Sequence, residues 1–167
     1  MDVDSLPFGI DGYGLVRAGP EDKDYVLRSM RETVVSSVPD CERELCDLWI
    51  GDILNIVSYD LDTGKMDNEA FILVSDDGRK AGVLWMGRSR DHLTCDDTGY
   101  LMGLFVEKGF RRNGLGTELV RSAEHWCRSK DLLSMTLNVG AVNEAAAALY
   151  RKAGYEPRSV VMKRTLK

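Results

Sequence analysis

Apolar and polar residues alternate along the C-terminal half of the chain in a pattern that predicts two strand-loop-helix units. The apolar run 100–106 has the length of a buried strand, and from Leu115 onward apolar residues recur at helical spacing. A second apolar run, 132–139, precedes Asn143, a favourable N-cap, then an alanine-rich segment and Gly154, which suits a helix C-terminus. The pattern therefore favours an α/β fold in which each strand leads into a helix.

Two further helices are predicted in the N-terminal half. Residues 21–35 carry an imperfect apolar stripe and residues 42–57 a clearer one, with Pro39 between them. The three glycines within residues 9–14 predict a mobile lead-in. A length of 167 residues, 44% of them hydrophobic, suits one core, so we expect a single domain over residues 1–167.

The loop between the run 100–106 and the next helix carries the pattern Arg-x-x-Gly-x-Gly at residues 111–116. The first turn of a helix leaves N–H groups unpaired and carries the positive end of the helix dipole, and Gly114 and Gly116 leave room there for an anion. A Walker A loop needs a lysine after its second glycine, and a Rossmann fingerprint needs a third glycine and a distant acidic residue; neither is present. Either a phosphate-binding loop or a basic turn at the start of a surface helix fits the pattern.

The second unit supplies a further motif, Asn-x-x-Ala-x-x-Leu-Tyr-x-x-x-Gly-Tyr, over residues 143–155. Together the two motifs resemble those of the GNAT superfamily of acyl-CoA-dependent N-acetyltransferases. The resemblance implies an α/β (α+β) fold of three layers. Its central sheet would be mixed, largely antiparallel and of six to seven strands, with helices on both faces and a splayed strand pair holding acyl-CoA.

The resemblance covers nearly the whole chain and implies four more strands. They are residues 15–18, 69–75, 80–87 and 159–166, with an Asp-Asp-Gly turn at 76–78 between the middle two. Only a short tail follows Gly154, where many family members have two strands and a long loop. The substrate contacts of that loop are therefore expected to be missing.

Charge is unevenly distributed within a net charge of -5. Residues 108–167 contain twelve Lys/Arg and five Asp/Glu, whereas residues 1–107 contain ten and twenty-two. The basic part suits a cofactor that carries phosphates. The stretch 40–69 holds nine carboxylates and would attract a cationic acceptor, although a solvated acidic surface explains it as well. The chain has no aromatic-basic platform, so nucleic acid is not an expected partner.

Cysteine, histidine and hydropathy patterns argue against other classes. There is no Cys-x-x-Cys pair and there are only two histidines, so we expect no metal and four reduced, buried thiols. No apolar stretch is long enough to cross a bilayer, and the acidic start lacks the basic region of a signal peptide. We expect a cytoplasmic monomer or homodimer without membrane contact.

The resemblance implies that acetyl-CoA is the co-substrate and that its pantetheine arm pairs with the strand 100–106 like an added strand. The Leu104 N–H would face the acyl carbonyl, and Val106 would pair with a pantetheine amide. Both are also ordinary core-strand residues, and Asn143 would cap its helix in any fold. The residues expected to contact the cofactor are Leu104, Phe105, Val106, Arg111, Arg112, Asn113, Gly114, Leu115, Gly116, Thr117, Asn138, Asn143, Ala146, Tyr150 and Lys152.

Tyr150 falls on the family's tyrosine position, where the phenol would protonate the departing thiolate. Packing in the core beside Ala146 and Leu149 explains the same residue and is compatible with that role. Acetyl transfer also needs a neutral amine and stabilisation of the developing oxyanion.

The general base is not identified from the sequence. Family members carry a glutamate at the positions of Tyr100 or Asn138, and neither is a carboxylate here. Nearby carboxylates and solvent are equal alternatives, whereas the two histidines lie in polar segments and are poor candidates. The carboxylates are Asp96, Asp97 and Glu69, and the histidines are His92 and His125.

The leading hypothesis is an N-acetyltransferase that acts on a primary amine in a ternary complex, with no covalent enzyme intermediate. The acceptor classes are a protein N-terminus or lysine, a polyamine, an aminoglycoside or another small amine. A non-catalytic acyl-CoA-binding module is one alternative. A scaffold or RNA partner that uses the basic C-terminal surface is another.

Overall fold

A computed structural model of the protein describes residues 4–45, 50–52, 54–56, 58–59 and 67–166. The strands are β1 (Ser5–Leu6), β2 (Tyr13–Arg17), β3 (Asn68–Ser75), β4 (Lys80–Arg90), β5 (Asp97–Val106) and β6 (Met135–Leu137). The helices are α1 (Lys23–Ser37), α2 (Leu115–Ser129) and α3 (Glu144–Lys152). Short 3-10 helices lie at Pro20–Asp22, Asp40–Leu45 and Lys108–Phe110, and the described residues between 50 and 59 are helical.

The six strands form one sheet in the order of the chain, from β1 to β6. Every neighbouring pair is antiparallel except β5 and β6, which are parallel. A parallel pair needs a crossover, and α2 supplies it. The expected mixed, largely antiparallel sheet is therefore confirmed.

The sheet buries apolar residues on both faces. Phe71 and Leu73 of β3 belong to one core with Leu119 and Trp126 of α2, whereas the alternate residues Ala70 and Ile72 belong to a second core with Val26 and Met30 of α1. Successive side chains of a strand point to opposite faces, so α1 and α2 cover opposite sides of the sheet. This is the three-layer arrangement that the resemblance implied.

Two of the predicted strands differ from the structure. The predicted strand 132–139 is shorter in the structure, where it spans Met135–Leu137. Leu132, before this strand, is buried, whereas Leu133 is fully exposed. The predicted final strand 159–166 is wrong, because these residues form no strand. Val161 is 97% exposed, so the apolar pattern of this tail has no core to pack against.

Two other expectations need correction. The predicted helix 42–57 differs at its start, which lies in the 3-10 helix Asp40–Leu45; residues 46–49 lie outside the described residues. The expectation of buried thiols holds for Cys127 only, as Cys41 and Cys95 are exposed and Cys46 lies outside the described residues. The turn at residues 76–78 forms as expected, with Gly78 at a φ of +81°.

Candidate active site

The strands β5 and β6 separate after a short stretch of pairing. Their register joins Gly99 to Met135 and Leu101 to Leu137, and it ends there. At the same point β5 contains a bulge, since Gly103 pairs with Trp85 and Leu101 with Met86 of β4. Met102 is the extra residue, and such a bulge bends its strand. The expected splay of this strand pair is present.

The bulge determines which backbone groups face the gap. The Glu107 N–H donates to the Ala81 carbonyl at 2.9 Å, so the odd-numbered residues after the bulge direct their N–H groups at β4. Leu104 and Val106 therefore direct their N–H and C=O groups away from β4, into the gap. Phe105 directs its N–H at β4, and its side chain is buried in the α1 core.

The gap leads to the N-terminus of α2, where the backbone is open. Gly114 is the N-cap residue with a φ of +78°, and no side chain caps the helix. The first bonded amide is that of Glu118, which donates to the Gly114 carbonyl at 3.1 Å. Within the described part of the chain, the N–H groups of Leu115, Gly116 and Thr117 have no partner. This first turn is thus a cluster of free donors at the positive end of the helix dipole.

The loop before α2 is basic and held at one end by Arg111. The Arg111 Nε donates to the Val106 carbonyl at 2.8 Å, so this side chain folds back onto β5. Arg112 is exposed and has a φ of +67°, unusual for a residue with a side chain. The Asn113 side chain is occupied within the loop, because its Nδ2 donates to the Phe110 carbonyl at 3.3 Å.

The helix α3 packs beside the first turn of α2. A Cβ at Gly116 would lie 3.3 Å from Leu149 Cδ2, so glycine permits the close approach of the two helices. Asn143 caps α3 by accepting a hydrogen bond from the Ala146 N–H at 3.2 Å. Lys152 is exposed in the last turn of α3.

Tyr150 projects from α3 onto the same core that contains Leu104 and Val106. Its ring meets the Tyr155 ring edge-on, with centroids 6.1 Å apart. Burial raises the pKa of the Tyr150 phenol to about 12, and no described residue forms a hydrogen bond to it. The phenol therefore stays protonated at neutral pH.

The two positions at which family members carry a glutamate lie together. The Asn138 Nδ2 donates to the Tyr100 hydroxyl at 2.8 Å, across the separating strands. Burial raises the pKa of Tyr100, so its hydroxyl is a poor base at neutral pH.

Two of the three candidate carboxylates, Glu69 and Asp97, interact with other side chains. Glu69 is buried, and it accepts hydrogen bonds from Trp126 Nε1 at 3.0 Å and Lys130 Nζ at 2.5 Å. Asp97 lies 3.8 Å from the Arg90 guanidinium, at the far end of β5 from the bulge. Glu69 is thus a structural ion-pair member, which argues against its role as the general base.

A surface pocket of about 510 Å³ lies where the end of α1 meets the loop after β6. Gly140 of that loop lies against the Ser37 carbonyl, and a Cβ at Gly140 would collide with it. The lining residues are Ser36, Val38, Pro39, Asp40, Cys41, Arg43 and Val142. The pocket therefore lies between the start of the acidic stretch 40–69 and the loop that precedes α3.

Two ion pairs were not predicted from the sequence, because each joins residues that are far apart in the chain. Arg28 of α1 pairs with Glu107 at the end of β5, and Arg158 of the tail pairs with Asp91 of the β4-β5 loop. Asp91 is buried, and hydrogen bonds from the Leu93 and Thr94 amides and from Arg158 hold its pKa below the ordinary value. Local sequence offers no signal for either pair.

Comparison with known proteins places this geometry in context. A putative ribosomal protein bS18-alanine N-acetyltransferase of Bacillus subtilis is 28% identical over 92 residues, 54% of this chain and 56% of its own length. An aminoglycoside N(6′)-acetyltransferase type 1 of Klebsiella aerogenes is 28% identical over 97 residues, 56% of this chain and 64% of its own length. The chain spans between 43% and 64% of the first curated relatives that it matches.

Solved structures share the fold across almost the whole chain. A putative acetyl transferase from Pyrococcus furiosus has a TM-score of 0.70 at 21% identity, with 92% of this chain and 99% of that chain covered. A structure of AAC(6′)-Iy with the bisubstrate analogue CoA-S-monomethyl-acetylneamine has a TM-score of 0.68 at 17% identity, with 93% of this chain and 99% of that chain covered.

The model of the acetyltransferase (GNAT) family matches residues 36–155, the stretch that contains both motifs, the splayed strands and most of the core. Membership therefore rests on the sequence match, and the shared fold agrees with it. The chain belongs to the acetyltransferase (GNAT) family.

Proposed function

We propose that the protein is an N-acetyltransferase that moves an acetyl group from acetyl-CoA to a primary amine. One observation carries the proposal: the open edge of β5 beyond the bulge leads directly to the uncapped N-terminus of α2. An extended amide-bearing chain that ends in phosphates fits both parts, because a strand edge offers paired donors and acceptors and a helix N-terminus offers donors to anions.

The backbone supports the proposed binding mode. The Leu104 N–H would donate to the acyl carbonyl, and the groups of Val106 would pair with a pantetheine amide. Arg111 blocks the Val106 carbonyl in this structure, so we propose that the Arg111 side chain turns toward the phosphates when the cofactor binds. Arg112, Asn113 and the free amides of residues 115–117 complete the proposed cradle, with Asn138, Asn143, Ala146 and Lys152 as further contacts.

The proposed reaction is direct attack in a ternary complex. The amine nitrogen bonds to the acetyl carbon, the carbon-sulfur bond breaks, and Tyr150 gives its proton to the leaving sulfur. The nitrogen loses its proton to water, because Tyr100 and Asn138 occupy the positions where a carboxylate base would stand. Covalent catalysis by Cys127 does not fit, since burial raises its pKa to about 11.

Three described carboxylates of the acidic stretch are already paired or buried, so they support a cationic acceptor less strongly than the number of carboxylates in the stretch implies. Asp40 pairs with Arg43 at 2.7 Å and Glu42 with Lys163 at 2.9 Å, whereas Glu69 is buried in the core. We place the acceptor at the pocket beside Asp40, with the whole chain acting as one N-acetyltransferase domain. No helix among the described residues has the length and apolar character to cross a membrane.

Two measurements test the proposal. Saturating acetyl-CoA or CoA should raise the melting temperature, since a ligand that binds only the folded state stabilises it by mass action. Free thiol should then be released from acetyl-CoA in the presence of a primary amine from a panel of protein N-termini, polyamines and aminoglycosides. Stabilisation without thiol release from any amine would favour the non-catalytic acyl-CoA-binding module, and an unmoved melting curve would exclude both.

A further inference from the structure

The C-terminal tail beyond Tyr155 is joined to the described part of the molecule by ion pairs. Residues 155–166 form no helix or strand, and Val160, Val161 and Met162 are 80%, 97% and 90% exposed. Apolar side chains this exposed gain almost nothing from burial. Beyond Tyr155, which donates a hydrogen bond to Glu124 at 3.2 Å, the contacts that join the tail to other described residues are therefore ion pairs.

The two ion pairs of the tail differ in strength. Asp91 is buried and also accepts the Leu93 and Thr94 amides at 2.8 and 3.0 Å, so Arg158 docks against a preorganised carboxylate. The pair of Lys163 and Glu42 is open, with side chains that are 62% and 36% exposed. Solvent and salt screen such a pair strongly. Arg158 is thus the firm attachment and Lys163 the exchangeable one.

Glu42 is adjacent in the chain to residues that line the proposed acceptor pocket. It belongs to the 3-10 helix Asp40–Leu45, and its neighbours Cys41 and Arg43 line the pocket. Asp40 is paired with Arg43 at 2.7 Å, and Glu42 is paired with Lys163 at 2.9 Å. Removal of Lys163 takes from Glu42 the cation with which it forms this ion pair.

We infer that Lys163 is a built-in competitor for cationic acceptors, and that an acceptor's second cation displaces it from Glu42. This inference rests on the proposed function. A lysine ammonium already occupies the carboxylate, so the geometry shows that an alkylammonium group fits there. The apparent affinity for a dication is then reduced by the fraction of molecules in which Lys163 is docked.

The test compares Lys163→Gln with Arg164→Gln, which removes the same charge one residue later, where no described residue forms an ion pair with it. The probes are 1,4-diaminobutane, a dication, and butylamine, a matched monocation. Lys163→Gln should lower the KM for 1,4-diaminobutane about twofold to fivefold and leave those for butylamine and acetyl-CoA unchanged. Glu42→Gln should raise the KM for 1,4-diaminobutane and abolish the effect of Lys163→Gln. High salt should bring wild type and Lys163→Gln together.

Equal KM values for 1,4-diaminobutane in Lys163→Gln and Arg164→Gln would overturn the inference. Thiol release with butylamine in the same experiment would leave the proposed function intact. If no amine supported turnover, calorimetric binding of 1,4-diaminobutane in the presence of CoA would decide. Tighter binding to Lys163→Gln than to Arg164→Gln would support the inference, and equal binding would refute it.

Discussion

Tyr150 is the residue on which the proposed chemistry depends most. Its phenol is protonated at neutral pH because burial raises its pKa to about 12. Tyr150→Phe should therefore lower kcat on the order of ten- to a thousandfold while leaving the affinity for acetyl-CoA nearly intact. Steady-state thiol release, with calorimetry for CoA binding, measures both quantities.

Tyr155→Phe is the matched control for Tyr150→Phe. The Tyr155 ring contacts the Tyr150 ring, but the Tyr155 hydroxyl donates a hydrogen bond to Glu124 at 3.2 Å. Its loss should change stability and spare kcat. Comparable kcat losses in the two variants would show that disturbed packing, and not proton donation, explains the effect of Tyr150→Phe.

The sequence predicts the role of a single residue where a local motif determines that role. It does not predict the role where the tertiary fold determines it. Asn143 was predicted as an N-cap from its type and place, and it caps α3. Glu69 is a candidate base by residue type, yet it lies buried between Trp126 and Lys130, 57 and 61 residues away. Residue type shows that a carboxylate can accept hydrogen bonds, whereas only tertiary packing decides which donors reach it.

The proposed cofactor site depends on the backbone conformation at the N-terminus of α2. Gly114 has a φ of +78°, so Gly114→Ala should cost roughly 1–2 kcal/mol of folding free energy. A shift of the backbone that relieves this strain would move the free amides, and loss of one charge-assisted hydrogen bond weakens acetyl-CoA binding about tenfold or more. Urea unfolding and calorimetry measure the two effects.

Gly109→Ala serves as the control for that element. Gly109 has no neighbour within 4 Å of a Cβ and no positive φ, so its replacement should leave acetyl-CoA affinity unchanged. Wild-type affinity in Gly114→Ala would remove this helix turn from the cofactor site.

Helices and strands with strong periodicity were predictable, and weakly patterned ones were not. The predicted helix that starts at Leu115 has its apolar residues on one face, and α2 forms as expected. The tail over residues 159–166 has apolar residues too, but a strand is stable only beside a partner, and none pairs with it here. The bulge at Met102 depends on the register of two strands, which local pattern does not encode.

The whole molecule should lose stability at alkaline pH. Burial raises the pKa values of Tyr25, Tyr100, Tyr150, Tyr155 and Cys127, the thiol to about 11. Above pH 9–10 the unfolded chain releases these protons while the folded chain retains them, so the free energy of unfolding falls as pH rises. Urea unfolding at pH 8, 9.5 and 10.5 should show the decline.

Tyr155→Phe should flatten that decline, because the variant lacks one of the shifted groups. A free energy of unfolding that stays constant to pH 10.5 would contradict the prediction.

The order of the strands also bears on how the protein folds. The pairs β1-β2, β3-β4 and β4-β5 are hairpins with short loops that can close early, whereas the pairing of β2 with β3 must close over residues 18–67. The pairing of β5 with β6 must wait for α2 to cross over, and it spans only three residue pairs. We expect the β6-α3 unit to fold last and to open first, so that a modest destabilising mutation there abolishes acetyl-CoA binding while the rest of the sheet stays folded.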